Sequence, residues 1–264
     1  RAVAGAIILI IVVLMAIFGP MMCKYSYAEQ NMSLRNASPS MDHWFGTDRM
    51  GRDIFVRILF GARISLAVGC LAAVINLIVG KIYGGIAGYV GGKVDMVMMR
   101  IVDIIYSVPA MLYIVLIMLI FGASVISIML GISITCWIDM ARIVRQQVKS
   151  LKEQEFTMAA FVLGASPSRI LIKHLLINTM GQIIVTVTLM VPQAIFTEAW
   201  LSFLGVGISA PMASWGTLAQ DARQLIMTYP MQTVYPMIAI CITIFSFNFV
   251  GEGLEKALDP KRKR

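Results

Sequence analysis

Ala2–Met22 reads AVAGAIILIIVVLMAIFGPMM, an apolar run without one charged side chain. A helix needs roughly 20 such residues to cross the hydrocarbon core of a bilayer, so this stretch by itself argues for a membrane span. Five further runs repeat the pattern: Ile64 to Tyr89, Val97 to Phe121, Ser124 to Met140, Met180 to Leu204 and Met231 to Val250. The third and fourth are separated only by Gly122-Ala123, which predicts a hairpin. Pro109 and Pro192 fall inside runs and are expected to kink them. The expected fold class is an all-α polytopic membrane protein with six transmembrane helices.

Composition agrees. The chain is 59% hydrophobic and 14% charged, with a mean hydropathy of +0.82; a soluble domain carries about 25% charged residues. So much apolar surface needs lipid as its solvent. The net charge of +8 does not indicate nucleic acid, because the basic residues lie between apolar runs and form no basic–aromatic face. Cys23, Cys70, Cys136 and Cys241 make no CxxC pair, and His43 and His174 stand far apart, so no metal site is expected. The first run has no small-x-small cleavage site, and bulky Met22 precedes Cys23, which argues against a signal peptide or lipoprotein box. The chain starts at Arg1 rather than Met, so an upstream segment is expected.

Orientation follows from basic residues, which favour cytoplasmic loops. With both termini placed inside, most of the 22 Lys and Arg residues are cytoplasmic, including Arg142, Arg145, Lys149, Lys152, Arg169, Lys173 and the tail Lys261-Arg-Lys-Arg264. The expected organisation is a first transmembrane helix over 1–23, an extracytoplasmic loop with an interfacial helix over 24–63, a five-helix core over 64–258 containing a cytoplasmic loop at 142–179, and a basic tail at 259–264. In the outer loop, Asp48–Arg52 and Asp53–Arg57 are spaced to pair on one face of the interfacial helix, with Ile54, Phe55, Ile58 and Leu59 on the other. The pairs are expected to be exposed and structural. A further outer segment, Gly205 to Pro230, contains Pro211 and Gly216.

The inner loop holds the clearest functional pattern. Lys149 to Leu163 reads as a helix, Gly164 as its stop, Ser166 as the next N-cap and Pro167 as the first residue of a following helix. Phe161, Val162 and Leu163 then sit at a bend outside the bilayer, where apolar residues suggest docking on a partner. Three ionisable residues lie inside spans and are candidate translocation-path or structural groups: Asp103, Asp139 and Glu198. Asp103 is expected to pair with Arg100, Asp139 with Arg142, and Glu198 to face water near the outer end. There is no G-x-x-x-x-G-K-[ST] loop, so the chain is not expected to bind ATP, and no nucleophile–base constellation points to an enzyme or a catalytic residue.

The loop also resembles a known element. Met158-Ala159-Ala160, Gly164 and His174-Leu175-Leu176 resemble the EAA loop of ABC importer permeases, with Met158 and Ile177 where that family usually has Glu and Pro. His43-Trp-Phe-Gly46-Thr-Asp48 with Gly51-Arg52-Asp53, Arg100-Ile-Val-Asp103, Glu198-Ala-Trp-Leu-Ser-Phe-Leu-Gly205, Trp215-Gly216, Phe247-Asn248 and Leu258-Asp259-Pro260 resemble the C-type subunit of the oligopeptide/dipeptide/nickel permease family. The resemblance implies a type I ABC importer permease fold and a coupling helix that docks on an ATPase through Met158, Ala159, Ala160, Phe161, Leu163, Gly164, Ser166, Pro167 and His174. It further implies a second permease subunit, two ATPase subunits that carry ATP and Mg, an extracytoplasmic solute-binding protein, and import of peptides through the cytoplasmic membrane by alternating access. Nickel or another small solute is the alternative cargo. An ion-coupled secondary transporter is a rival, against which the absence of a visible internal repeat counts.

Overall fold

A computed structural model describes residues 1–208 and 212–258. The order of helices is α1 (Ala2–Met22), α2 (Ile54–Val90), α3 (Gly92–Ser107), α4 (Ala110–Phe121), α5 (Val125–Lys152), α6 (Glu155–Val162), α7 (Pro167–Arg169), α8 (Leu176–Asn178), α9 (Met180–Phe203), α10 (Trp215–Ala222) and α11 (Pro230–Leu258). Ile170–Leu175 is wound as a π-helix between α7 and α8. The only β-type pairing among the described residues is an isolated bridge between Thr47 and Asp53. The motif at Asp259-Pro260, the basic tail and Pro211 lie outside the described residues.

Five helices, α1, α2, α5, α9 and α11, are long and apolar enough to cross a membrane, and α3 with α4 makes a sixth when taken as one broken span. That third span is interrupted at Pro109, the position expected to kink the run over Val97 to Phe121. Its two halves are bent by 77°. The cause is Pro109, which offers no N–H and pushes the residue before it out of the helical region; Val108 is extended, at φ −93° and ψ 127°. Pro192, by contrast, sits within an unbroken α9.

α2 is the central element. It runs for 37 residues, so the helix expected to lie along the interface is instead continuous with the second span. Asp53 caps its start by accepting the Val56 amide at 2.8 Å. One side of α2 meets α5 across Gly80, Gly84 and Gly88, spaced four apart. A Cβ at Gly84 would overlap the Ala141 carbonyl, and one at Gly80 would sit 2.6 Å from the Met140 side chain. Small residues at this spacing let two helix backbones approach in lipid, where no hydrophobic force drives them together.

Three buried clusters stack along this axis. Ile54, Ile58, Leu66, Ile195 and Trp215 pack at the α2 start. Val68, Ile114, Ile128, Ile132 and Leu201 pack beneath the α4–α5 turn. Met140, Val144, Val148, Ala160, Ile170, Leu175 and Ile183 pack at the opposite end, tying α6 to α5. α1 lies outside, mostly exposed laterally, against α11, where Gly5 leaves no room for a side chain between it and the Ser246 carbonyl.

Candidate coupling surface and buried polar clusters

The segment between α5 and α9 is helix, glycine bend, helix, as the sequence implies, with one difference. The helix expected over Lys149 to Leu163 breaks at Glu153-Gln154, where Thr157 Oγ1 donates to the Leu151 carbonyl at 2.8 Å and α6 restarts. α6 ends in a Schellman arrangement: the Ala165 amide donates to Ala160 O at 3.1 Å and the Gly164 amide to Phe161 O at 3.0 Å. This geometry requires a left-handed residue, and Gly164 has φ +81° with open space where a Cβ would lie. Ser166 stands at the next N-cap position without a side-chain cap bond, and Pro167 follows it at the first helical position.

Thr157 and Ala160 turn inward, while Phe161, Val162 and Leu163 are 72%, 82% and 86% exposed. Met158 is exposed beside them, and Ala159 with it; His174 is half-buried and Ile177 exposed. A cleft of about 540 Å³, lined by Tyr89, Val90, Met158, Phe161, Val162 and Ile170 together with Lys152 and Thr157, opens along the same side. A short helix outside the long spans thus exposes a group of apolar side chains, Met158, Phe161, Val162 and Leu163.

The ionisable residues fall elsewhere than expected. Asp103 pairs with Arg142 at 3.0 Å, not with Arg100. Arg142 reaches across from α5 and also covers the Tyr106 ring at 4.5 Å, which leaves Asp139 exposed and without an ion pair among the described residues. Glu198 does not face water: it is fully buried. Its carboxylate accepts from Ser65 Oγ at 3.0 Å and Ser202 Oγ at 2.8 Å. The reason is α10, which folds back over α9. Trp215 Nε1 donates to Ile58 O at 3.1 Å, the Trp215 amide donates to Ser65 Oγ at 3.3 Å, and Gly216 lies so close to Ala199 that a Cβ would be 2.5 Å from its carbonyl. Asn248 is half-buried on α11.

The segment before α2 is a folded loop. Gly46 and Gly51 have φ +75° and +69°, and a Cβ at Gly51 would overlap the Asn31 carbonyl. Asp48 does pair with Arg52, at 2.7 Å. Asp53 does not pair with Arg57; it holds His43 Nδ1 at 2.7 Å. Arg57 turns to Asp48 at 2.6 Å and to Asp221 on α10 at 3.3 Å. These groups are buried, not exposed: Arg52, Asp53 and Arg57 show 4%, 4% and 2% of their surface. Sequence reading missed Asp221 because its partners lie more than a hundred residues away. It also missed Asp95, at the start of α3, which accepts from Arg145 and from Lys149 at 3.0 Å. No local spacing signals either contact.

Comparison with known proteins decides the family. Residues 80–264 match the family model described as a binding-protein-dependent transport system inner membrane component. The chain belongs to that family. Residues 1–39 match the N-terminal TM domain of oligopeptide transport permease C. The permease is 51% identical over 263 residues to the oligopeptide transport system permease protein OppC of Bacillus subtilis, covering 100% of this chain and 86% of the relative. It is 47% identical to the dipeptide transport system permease protein DppC of the same organism, covering 100% and 82%. It is 43% identical to OppC of Escherichia coli, covering 98% and 87%. Among solved structures, an inward-facing form of the MetNI methionine ABC transporter aligns with a TM-score of 0.61 at 17% identity, covering 77% of this permease and 96% of that chain. This likeness supports the type I importer permease fold. The permease is therefore a multi-span membrane protein of the inner-membrane component class, and its matched relatives are transport subunits rather than enzymes.

Proposed function

We propose that this permease forms one half of the membrane pathway of an ATP-driven peptide importer. The observation that carries the reading is the pairing of full-length similarity to oligopeptide and dipeptide permeases with an apolar patch on α6 that none of the described residues covers. In this reading α6 is the coupling helix. Phe161, Val162, Leu163 and Met158 enter a groove on an ATPase subunit, and Ala160 anchors the helix through Ile170, Leu175, Val144 and Val148. Movement of the ATPases is then passed to α5, and from α5 to α2 across the glycine contact. A second permease, two ATPases carrying ATP and Mg, and an extracytoplasmic binding protein complete the assembly, with both termini in the cytoplasm.

The bend is the mechanical weak point. Gly164→Val forces a β-branched residue into a left-handed conformation, at roughly 1–2 kcal/mol, without a clash to explain a wider defect. The expected result is normal membrane insertion, weakened ATPase capture, and ATP hydrolysis that no longer drives uptake. Wild-type capture and uptake in this variant would remove the coupling role of the bend.

A further inference from the structure

The lateral faces of the bundle are not alike. α1 and α11 turn Ile7, Ile10, Phe18, Ile238, Ile242 and Phe245 outward, which suits lipid. The seam between α5 and α9 presents other chemistry. Asp139 lies midway along α5 and is exposed. Gln193 lies midway along α9 and is exposed as well. Gln182, Thr186 and Thr197 share its face of α9 at helical spacing; Gln182 is exposed and the threonines are half-buried. The threonine hydroxyls donate back to the Gln182 and Gln193 carbonyls, at 2.9 and 2.8 Å, so the glutamine amides are the polar groups this face offers. Both stretches flank one seam: Ile132, about two turns before Asp139 on the same line of α5, is buried in one cluster with Ala194, the neighbour of Gln193. Asp139 has no ion pair among the described residues, and Arg142, one turn further on, is held by Asp103. A carboxylate in the middle of a span is costly against lipid, and an unpaired one is costly in a dry protein interface too. A water-filled channel is the setting in which it is least unfavourable.

We propose that the α5–α9 seam lines the water-filled route of the cargo, and that Asp139 there contacts a cationic nitrogen of the transported peptide, either its α-ammonium or a Lys or Arg side chain. The amides of Gln182 and Gln193 each carry donors and an acceptor, which match the peptide bond whatever the cargo's sequence. Asp139 adds a preference for positive charge to a wall that is otherwise undemanding. The inference rests on the peptide reading above and deepens it.

The test uses the complete importer reconstituted with its ATPases and binding protein. Uptake rates are compared for a lysine-containing peptide, its N-acetylated form and the same peptide with Gln in place of Lys, each at a concentration that saturates the binding protein. Wild type is expected to carry the parent up to about fivefold faster than the form that lacks the contacted cation; a loss on acetylation names the α-ammonium, a loss on the Gln replacement the side chain. Asp139→Asn is expected to bring the three rates together, and Asp139→Lys to reverse their order. Asp139 is exposed and braces nothing, so both variants should assemble. In parallel, Asp139→Cys in a background with the four native cysteines replaced is treated with a charged, water-soluble thiol reagent, the importer being held in nanodiscs. Reaction is expected. If that cysteine stays unreactive, Asp139 lies against lipid or a dry interface and the inference falls. It falls equally if the cysteine reacts but Asp139→Asn leaves the wild-type ratios unchanged, or if wild type shows no preference among the three peptides; the peptide reading stands in each case. Uptake of no peptide by wild type, with another solute carried, would contradict the peptide reading itself.

Discussion

Asp221 shows how one residue can hold distant parts of this chain together. It accepts from Arg52 at 3.1 Å and Arg57 at 3.3 Å, joining α10 to α2 and to the loop before it. Removing one member of a buried charge network strands the others, at about 3–5 kcal/mol. Asp221→Ala should therefore lower the thermal midpoint of the detergent-solubilised permease sharply. Asp103→Ala should do far less, because its pair with Arg142 is half exposed and such pairs contribute at most about 1 kcal/mol. Equal losses in the two variants would mean that burial does not set the weight of these pairs. At this scale the sequence was a partial guide. It placed Asp48 with Arg52 correctly, since a spacing of four survives in a turn as well as in a helix. It misassigned Asp53, Asp103 and Glu198, whose partners His43, Arg142 and Ser65 come from tertiary approach and leave no local signature.

Elements were far more legible, because twenty apolar residues in a row have few options in water or lipid. The boundaries of α1, α9 and the start of α11 follow the runs within a residue or two. Two of the errors share one cause: polar residues were read as the ends of helices. α2 starts ten residues before the expected span, and α5 continues to Lys152, past Arg142 and Arg145, because their heads find Asp103 and Asp95 instead of requiring the helix to stop. The glycine stripe on α2 gives a test at this scale. Gly84→Leu has no space against Ala141 and should separate α2 from α5, lowering both folded yield and thermal midpoint. Gly91→Ala meets nothing within 4 Å, and its penalty is limited to its positive φ. If Gly84→Leu is the milder of the two, close α2–α5 packing is not what holds the bundle.

For the whole molecule, the account makes the two ends of the bundle different in kind: a buried charged cluster at one, an uncovered apolar helix at the other. The proposed orientation puts them on opposite sides of the membrane. In a background with the four native cysteines replaced, a cysteine at Ser38 should react with an impermeant reagent from outside in intact cells, and one at Ser168 should not; both positions are exposed in the fold. The reverse pattern would invert the molecule and place α6 out of reach of any ATP-hydrolysing partner. Fold and family were readable from apolar runs and ordered motifs, whereas the cargo was not, since no single residue type along the chain encodes it.

The central claim is that the apolar face of α6 docks on the ATPase subunits, and Phe161→Asp tests it most directly. Phe161 is 72% exposed, so an aspartate there disturbs no buried packing within the chain, but it sets a charge inside the proposed groove, where an unpaired charge is strongly unfavourable. Capture of the ATPases by affinity-tagged permease is the measurement, with membrane insertion followed in parallel. The account predicts normal insertion and loss of most ATPase capture. Wild-type capture by Phe161→Asp, with ATP-driven uptake intact, would contradict it.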